Sequence, residues 1–490
     1  MTQQYNEIME SHPLYEKMIG RWKYLYVSFM GGEKYQKQGY LTRYAYESEI
    51  DYQERLRQTP LDNQCKSIVS IYNAFLFRNG VERDFGSLAN DPALQPFLED
   101  ADLDGRSLDA FMKDVSTHAS IFGHCWMVLA KPNTNARTRA EELDQEVRPY
   151  VNLVTPMAVL DWRWKRGSNG VYYLEYLKYI EDQEWKSHMV IKEWTNETII
   201  TTIADMDKSE VKEVVEEPNG LGIIPAVPVY TQRSIYRGVG VSDIDDIADQ
   251  QRAIYNELSE VEQAIRLNGH PSLVKTASTE AVAGAGAIIQ MDESLDPGLR
   301  PYVLASSADT GQIYNSINQR IEAIDRMANT GAVRAKTTRT LSGVAMEVEF
   351  SMLNARLSEK ADNLELGEEH LWRLFARYQN RVWDGYVDYP DSFSIRDTDK
   401  EYQNLKMVRE TATDPRLLKL VDERILELMD EDPKEYLEQE MTHPVTNGAN
   451  RTPHIQQMVM EGYTDQQILT LHSEISQADI DAAKQALLNE

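Results

Sequence analysis

Apolar positions recur along this chain with two different periods, and the change from one to the other divides it. Over 62–77, Cys65, Ile68, Val69, Tyr72 and Leu76 fall on one side of a helical repeat. This predicts a core-facing helix that ends in a turn at Arg78, Asn79 and Gly80. Residues 108–117 repeat the helical period, and beyond Gly123 the run from His124 to Ala130 is nearly all apolar until Pro132 stops it, as in a buried strand. Strand-length runs then follow at 149–153, 158–164, 171–180, 188–194 and 197–203. Turn signals at Gly167-Ser168-Asn169-Gly170 and Thr195-Asn196 separate them, which predicts an antiparallel meander. The charged stretch 205–217 reads as a surface hairpin or loop. Residues 223–230 read as an extended crossing, because Pro225 and Pro228 exclude a helix interior.

Past Gly238 the period turns helical and long. Ile244, Ile247, Gln251, Ile254, Leu258, Val261 and Ile265 form one narrow seam that stops at Asn268-Gly269-His270-Pro271. A small module rich in glycine and proline follows, with strand-like runs at 287–291 and 302–304. A second helix then starts near Ser307 and carries Ile313, Ile317, Ile321, Ile324 and Ala328 on one face. The loop GAVRAKTTRTLSG holds Arg334, Lys336 and Arg339 and no acid. Beyond it Met346, Phe350, Leu353, Leu357, Ala361, Leu364, Leu371, Leu374, Tyr378 and Val382 repeat too far for an ordinary globular helix. Asp384-Gly385 ends that helix and Tyr389-Pro390 marks a boundary. More helices follow: one from Pro415 with Leu417, Leu418, Val421, Ile425 and Leu428, a short one from Pro433, and two at the end capped by Thr464 and Ser476. The fold class is α+β and mainly helical.

At 490 residues the chain is long enough for several domains. Its two cysteines support no disulfide framework and point to a reducing compartment. The opening MTQQYNEIME lacks the basic and apolar regions of a signal peptide, and no run of about eighteen apolar residues offers a membrane span. The expectation is a soluble product of the cytoplasm with no membrane partner. A net charge of −28 opposes tight binding of nucleic acid through its phosphates, but not passage past an acidic wall. No phosphate-cradling glycine–lysine motif, H-E-x-x-H, G-x-S-x-G or C-x-x-C occurs, so neither an enzyme nor a cofactor is expected. His118, His124 and Cys125 match no zinc spacing and read as packing. Asp243, Asp245, Asp246 and Asp249 can chelate a hard cation or simply suit the start of a helix. Trp162, Trp164, Tyr172, Tyr173, Tyr176, Tyr179, Trp185 and Trp194 can stack on a ligand or fill sheet faces.

This order of parts resembles the portal proteins of tailed bacteriophages. The resemblance is carried by PAVPVYTQRSIYRGVGVSDIDDIADQQRAIYNELSEVEQAI, by the interruption after it, and by TRTLSGVAMEVEFSMLNARLSEKADNLE. It implies a portal fold of wing, stem, clip and crown with long helices around a central channel. The wing would span 1–240, the first stem helix 241–268, the clip 269–306, the second stem helix 307–330, the tunnel loop 331–343, a long wing helix 344–383 and a helical crown 384–490. It also implies a non-enzymatic ring of about twelve identical copies at one capsid vertex of the virion, made in the host cytoplasm. Double-stranded DNA would pass through it during packaging and ejection without sequence specificity. Its partners would be the major capsid protein, the terminase large subunit and then an adaptor or head-completion protein. On this reading Arg334, Lys336, Thr337, Thr338 and Arg339 contact DNA, and Asp245, Asp246, Asp249, Glu257 and Glu260 line the channel. Ser272, Lys275, Glu280, Asp292 and Glu293 dock partners from the clip. The rival readings are a soluble enzyme with an aromatic-lined substrate site and an acidic cation cluster, and a smaller adaptor-type ring component.

Overall fold

A computed structural model describes residues 2–132, 147–184, 188–269, 272–274, 302–304, 309–334, 343–390 and 415–428, with isolated residues or short stretches elsewhere. The chain divides into two compact units, Met1–Ser394 and Ile395–Glu490. The first unit begins with helices α1 (Thr2–Met9), α2 (Pro13–Met30), α3 (Gly32–Gln36), α4 (Glu49–Gln58), α5 (Gln64–Leu76), α6 (Leu94–Glu99) and α7 (Leu108–Phe122). Their starts follow from their caps. The His12 ring accepts from the Leu14 N–H ahead of a proline at the first helical position, Asn63 caps α5, and Ser107 caps α7. The face read from 62–77 is the buried one, with Cys65, Ile68, Val69, Tyr72 and Leu76 all sealed from solvent.

Strand β2 (His124–Ala130) is buried along its whole length. It is the middle of a three-stranded antiparallel sheet, flanked by β3 (Tyr150–Val154) and β9 (Ala226–Tyr230). Two expectations change here. The strand at 149–153 leaves the meander to pair with β2, because the turn through Thr155 and Pro156 redirects the chain. The crossing at 223–230 is itself an edge strand, where Pro228 opposite Trp126 costs no interior ladder bond.

The meander proper is β4 (Val159–Arg166), β5 (Tyr172–Glu184), β6 (His188–Thr195), β7 (Thr198–Asp205) and β8 (Glu210–Pro218), hydrogen-bonded in that order. Its last strand lies in the stretch read as a hairpin or loop; pairing with β7 supplies the order that its charged sequence does not advertise. Tyr5, Ile8 and Met9 of α1 pack on Met189, Ile191 and Ala204 of this sheet.

Next come the long elements: α8 (Asp245–Gly269), α9 (Thr310–Ala328), the short α10 (Gly331–Arg334) and α11 (Gly343–Tyr378). Strands β10 (Ser272–Val274) and β11 (Tyr302–Leu304) pair antiparallel between α8 and α9. The strand read at 287–291 lies outside the described residues. Both α9 and α11 end on an asparagine in the left-handed region, Asn329 at φ 56° and Asn380 at φ 54°. In α11 the Arg381 N–H returns to the Ala376 carbonyl at 2.8 Å and the Asn380 N–H to Arg377 at 3.1 Å. Val382, read as helical, therefore lies past the end of α11 and is 83% exposed.

Two three-residue strands carry no period long enough to read. β1 (Glu82–Asp84) pairs antiparallel with β12 (Tyr386–Asp388), which holds the chain beyond α11 against the N-terminal part. Gly385 permits this, because a Cβ there would sit 1.8 Å from the Asp84 carbonyl oxygen. The compact unit that contains β12 runs on to Ser394.

In the second unit α12 (Pro415–Leu428) starts on its proline and buries Val421. Farther on, the Ile468 N–H donates to the Thr464 carbonyl at 3.0 Å, and Ile468 and Ile480 share a small core. The helix expected at Pro433 and the cap at Ser476 lie outside the described residues. Cys65 and Cys125 are free and buried. Among the described residues no helix is long and apolar enough to cross a membrane.

Candidate functional site

Helices α8 and α9 form an out-and-back pair, and α8 is not the single-seamed helix its sequence suggests. Ile247, Gln251, Ile254 and Val261 of the seam are buried, but so are Ala248, Tyr255 and Ser259 on a second face, whereas Ile265 is 50% exposed. The second face is filled by the N-terminal helices. Gln251 accepts from the Cys65 N–H and donates to the Ser28 carbonyl, both at 2.9 Å, so a buried amide pins three helices together. On the first face Ile254, Val261, Ile317 and Ile324 belong to one core. Glu257 reinforces it, accepting from Ser316 at 3.0 Å and from Arg320 at 2.8 Å.

Most acids read as channel-lining are occupied inside the chain. Arg21 forks onto Asp245 at 2.7 Å and Asp249 at 3.1 Å. Burial raises the Asp249 pKa, but hydrogen bonds and charge from Arg21 outweigh it and hold the carboxyl below its ordinary value. Glu260 accepts from the Tyr44 hydroxyl at 2.6 Å, and Glu257 is held as above. Asp246 is exposed and has no ion pair among the described residues. Asp243 sits apart in the core, 2.5 Å from Lys360 and 3.1 Å from Arg356. Apart from Asp246, these carboxylates are matched by donors from distant elements and do not converge as an oxygen cage.

Arg334 lies on α10, forms a 2.8 Å ion pair with Asp325 and hydrogen-bonds Gln64, both charged side chains being only 15% exposed. It ties the end of α9 to the start of α5. Lys336, Thr337, Thr338 and Arg339 lie outside the described residues, as do Lys275, Glu280, Asp292 and Glu293. Ser272 begins β10.

The histidines and cysteine that suggest a metal are spent on packing. The buried His124 ring accepts from the Gly240 N–H at 3.2 Å, and burial pushes its pKa down to about 3. His118 Nδ1 contacts the Asp114 carbonyl at 2.8 Å, and the Cys125 thiol donates to the Val115 carbonyl at 3.4 Å.

The sheet aromatics are mainly core. Trp162 stacks on His12 with ring centres 4.4 Å apart and donates to the Arg237 carbonyl at 3.0 Å. Tyr179 and Trp194 are buried, and Trp164 stacks over Trp126. Tyr172 and Tyr173 are exposed, and Trp185 lies outside the described residues. Sequence reasoning missed the cleft beside this sheet, about 810 Å³, which brings Arg233, Arg237, Arg373 and Arg377 together over an apolar floor. The signal was legible in part, since Arg373 and Arg377 are one helical turn apart on α11. The lining sets the arginines beside aliphatics, His370 and the tyrosines Tyr173, Tyr230 and Tyr236, with no carboxylate among the described residues.

Among solved structures, the neck of an empty GTA particle aligns over 80% of this chain and 99% of that chain, at 9% identity and a TM-score of 0.45. The virion of a native gene transfer agent particle aligns over 73% of this chain and 89% of that chain, at 9% identity and a TM-score of 0.41. No curated protein sequence matches significantly. The model of the family described as "Phage portal protein, SPP1 Gp6-like" matches residues 40–439, and the chain belongs to that family of phage portal proteins.

Proposed function

We propose that this chain forms the portal ring at one capsid vertex, through which genomic DNA is packaged and later ejected. One observation carries the reading: the antiparallel pair α8 and α9, closed off by β10 and β11, is followed by the 36-residue α11, with residues 329–342 between Ala328 and Gly343. A lone chain leaves apolar side chains on these helices in water, with Ile265 50%, Tyr314 46%, Val348 56% and Met352 54% exposed. Neighbouring copies in a closed ring would cover them.

On this reading α8 and α9 are the stem and α11 the long wing helix. Because Arg21 pairs with Asp245 and Asp249 and Arg320 with Glu257, the lumen would be less negative than the sequence suggests. DNA contact falls to Lys336, Thr337, Thr338 and Arg339. The segment around Ser272, Lys275, Glu280, Asp292 and Glu293 would dock the terminase large subunit and then an adaptor or head-completion protein. The sheet-bearing part would meet the major capsid protein.

About twelve copies of a 56.3 kDa chain make a particle of roughly 680 kDa. Electron microscopy and mass measurement of the purified protein test this. Rings of that order with an axial opening support it, and monomers or solid globules would overturn it.

A further inference from the structure

The cleft beside the meander gathers four arginines, of which Arg373 is tied to a carboxylate, Glu369 at 2.6 Å. Arg233, Arg237 and Arg377 meet none among the described residues, although the chain carries 79 acids against 51 bases. Arg237 lies flat over Tyr172 at 3.8 Å and Arg233 over Tyr230 at 5.3 Å, so both are positioned rather than loose. Ile224, Val239 and Leu374 line the space between them, and Ile235 projects from its lip at 91% exposure. The socket is thus cationic at its rim and apolar on its floor.

A matching shape occurs on the far edge of the same sheet. Among the described residues strand β8 has one strand neighbour, β7, and its outer edge is unpaired. Successive strand residues point to opposite faces, yet everything from Lys212 to Glu216 is exposed, with Val214 at 50% and Val215 at 38%. Neither face is covered there, so this part of the strand, still paired with β7, forms an exposed acidic tongue along the sheet edge. Its charges are Glu213 and Glu216, unpaired among the described residues, while Lys212 is already matched by Asp205 at 3.0 Å. Acids on a bare edge deter indiscriminate strand pairing; opposite a cationic socket they become a specific key.

We propose that the acidic tongue of β8 seats in the arginine cleft of the next copy. This rests on the ring reading above, because a head-to-tail contact needs two different, complementary patches on one chain. Glu213 and Glu216 would meet Arg233, Arg237 and Arg377, and Val214 or Val215 the apolar floor.

The test uses charge reversal in the full-length protein. A socket variant carries Arg233→Glu, Arg237→Glu and Arg377→Glu; a tongue variant carries Glu213→Arg and Glu216→Arg. All these positions are on the surface, and unchanged thermal melts verify folding. Each variant alone then sets like charges opposite one another and should form at least about tenfold less ring than wild type at equal concentration. An equimolar mixture pairs opposite charges again and should restore rings, as should one protein carrying all five changes. Rings undiminished in either variant, or no rescue on mixing, overturn the proposal. So does a socket variant that still forms rings but loses binding to a short DNA duplex, which would make the cleft a phosphate site. Wild-type protein that forms no ring at all would instead sink the portal reading itself.

Discussion

Lys360 donates to Asp243 at 2.5 Å across 117 residues of sequence, and their side chains are only 5% and 3% exposed. The pair joins α11 to the residue two before α8, and Arg356 and Ser120 complete it. Burial drives the Lys360 pKa down while the Asp243 charge pulls it back. Removing the acid leaves two cations without a partner in the core. Asp243→Asn should cost about 3–5 kcal/mol in urea unfolding. Lys360→Met, which leaves Asp243 its contact with Arg356, should cost less than half of that.

A second buried pair makes stability depend on acid. Arg55 and Glu47 meet at 2.7 Å with side chains 3% and 7% exposed, and Arg55 also donates to Ser259 of α8 at 2.9 Å. The guanidinium holds the Glu47 carboxyl below the usual carboxylate range. Because folding depresses this pKa, the contribution is complete above the ordinary glutamate value and is lost as pH falls through the lowered one. Glu47→Gln should therefore cost about 3 kcal/mol at pH 7. Thermal melts as a function of pH should show its gap to wild type closing below about pH 4.5.

The chain reaches α8 through a crossing of two glycines. A Cβ on Gly240 would lie 2.0 Å from the Gly123 carbonyl oxygen, and one on Gly123, at φ 87°, would lie 2.5 Å from the Gly240 carbonyl carbon. Gly240→Ala should force the two segments apart and cost about 3 kcal/mol. Gly220→Ala, with nothing within 4 Å, should stay within about 0.5 kcal/mol of wild type in the same denaturation series.

The basic residues after α9 should separate by role. Arg334→Gln breaks the Asp325 tie and should lower stability by about 1–2 kcal/mol. Lys336→Gln with Arg339→Gln should leave melting unchanged but weaken DNA retention by assembled rings and flatten its salt dependence. Identical melts for the Arg334 variant and wild type would show that the α10 contact contributes nothing.

Periodicity made the long helices, the buried face of α5 and most strands legible, because each repeats over enough residues to declare its face. What it hid follows from the same physics. β1 and β12 have three residues each, too few for a period. The second face of α8 is built from Ala248, Tyr255 and Ser259, a mix that hydropathy scores as indifferent and that the N-terminal helices make a core. The acids of α8 could be counted but not assigned, since the partner of Asp245 lies 224 residues away. The end of α11 was misplaced because asparagine, unlike glycine, is an equally ordinary helix-surface residue until its backbone turns left-handed.

The sealed thiols have a practical corollary. Cys65 and Cys125 are wholly buried, and that burial pushes both pKa values up, so neither presents a thiolate to reagents. The native background is chemically silent. A cysteine introduced at Ile235 or Val214 would be the sole labelling handle per protomer, and dye pairs placed there would report the spacing between adjacent protomers without first deleting a native residue.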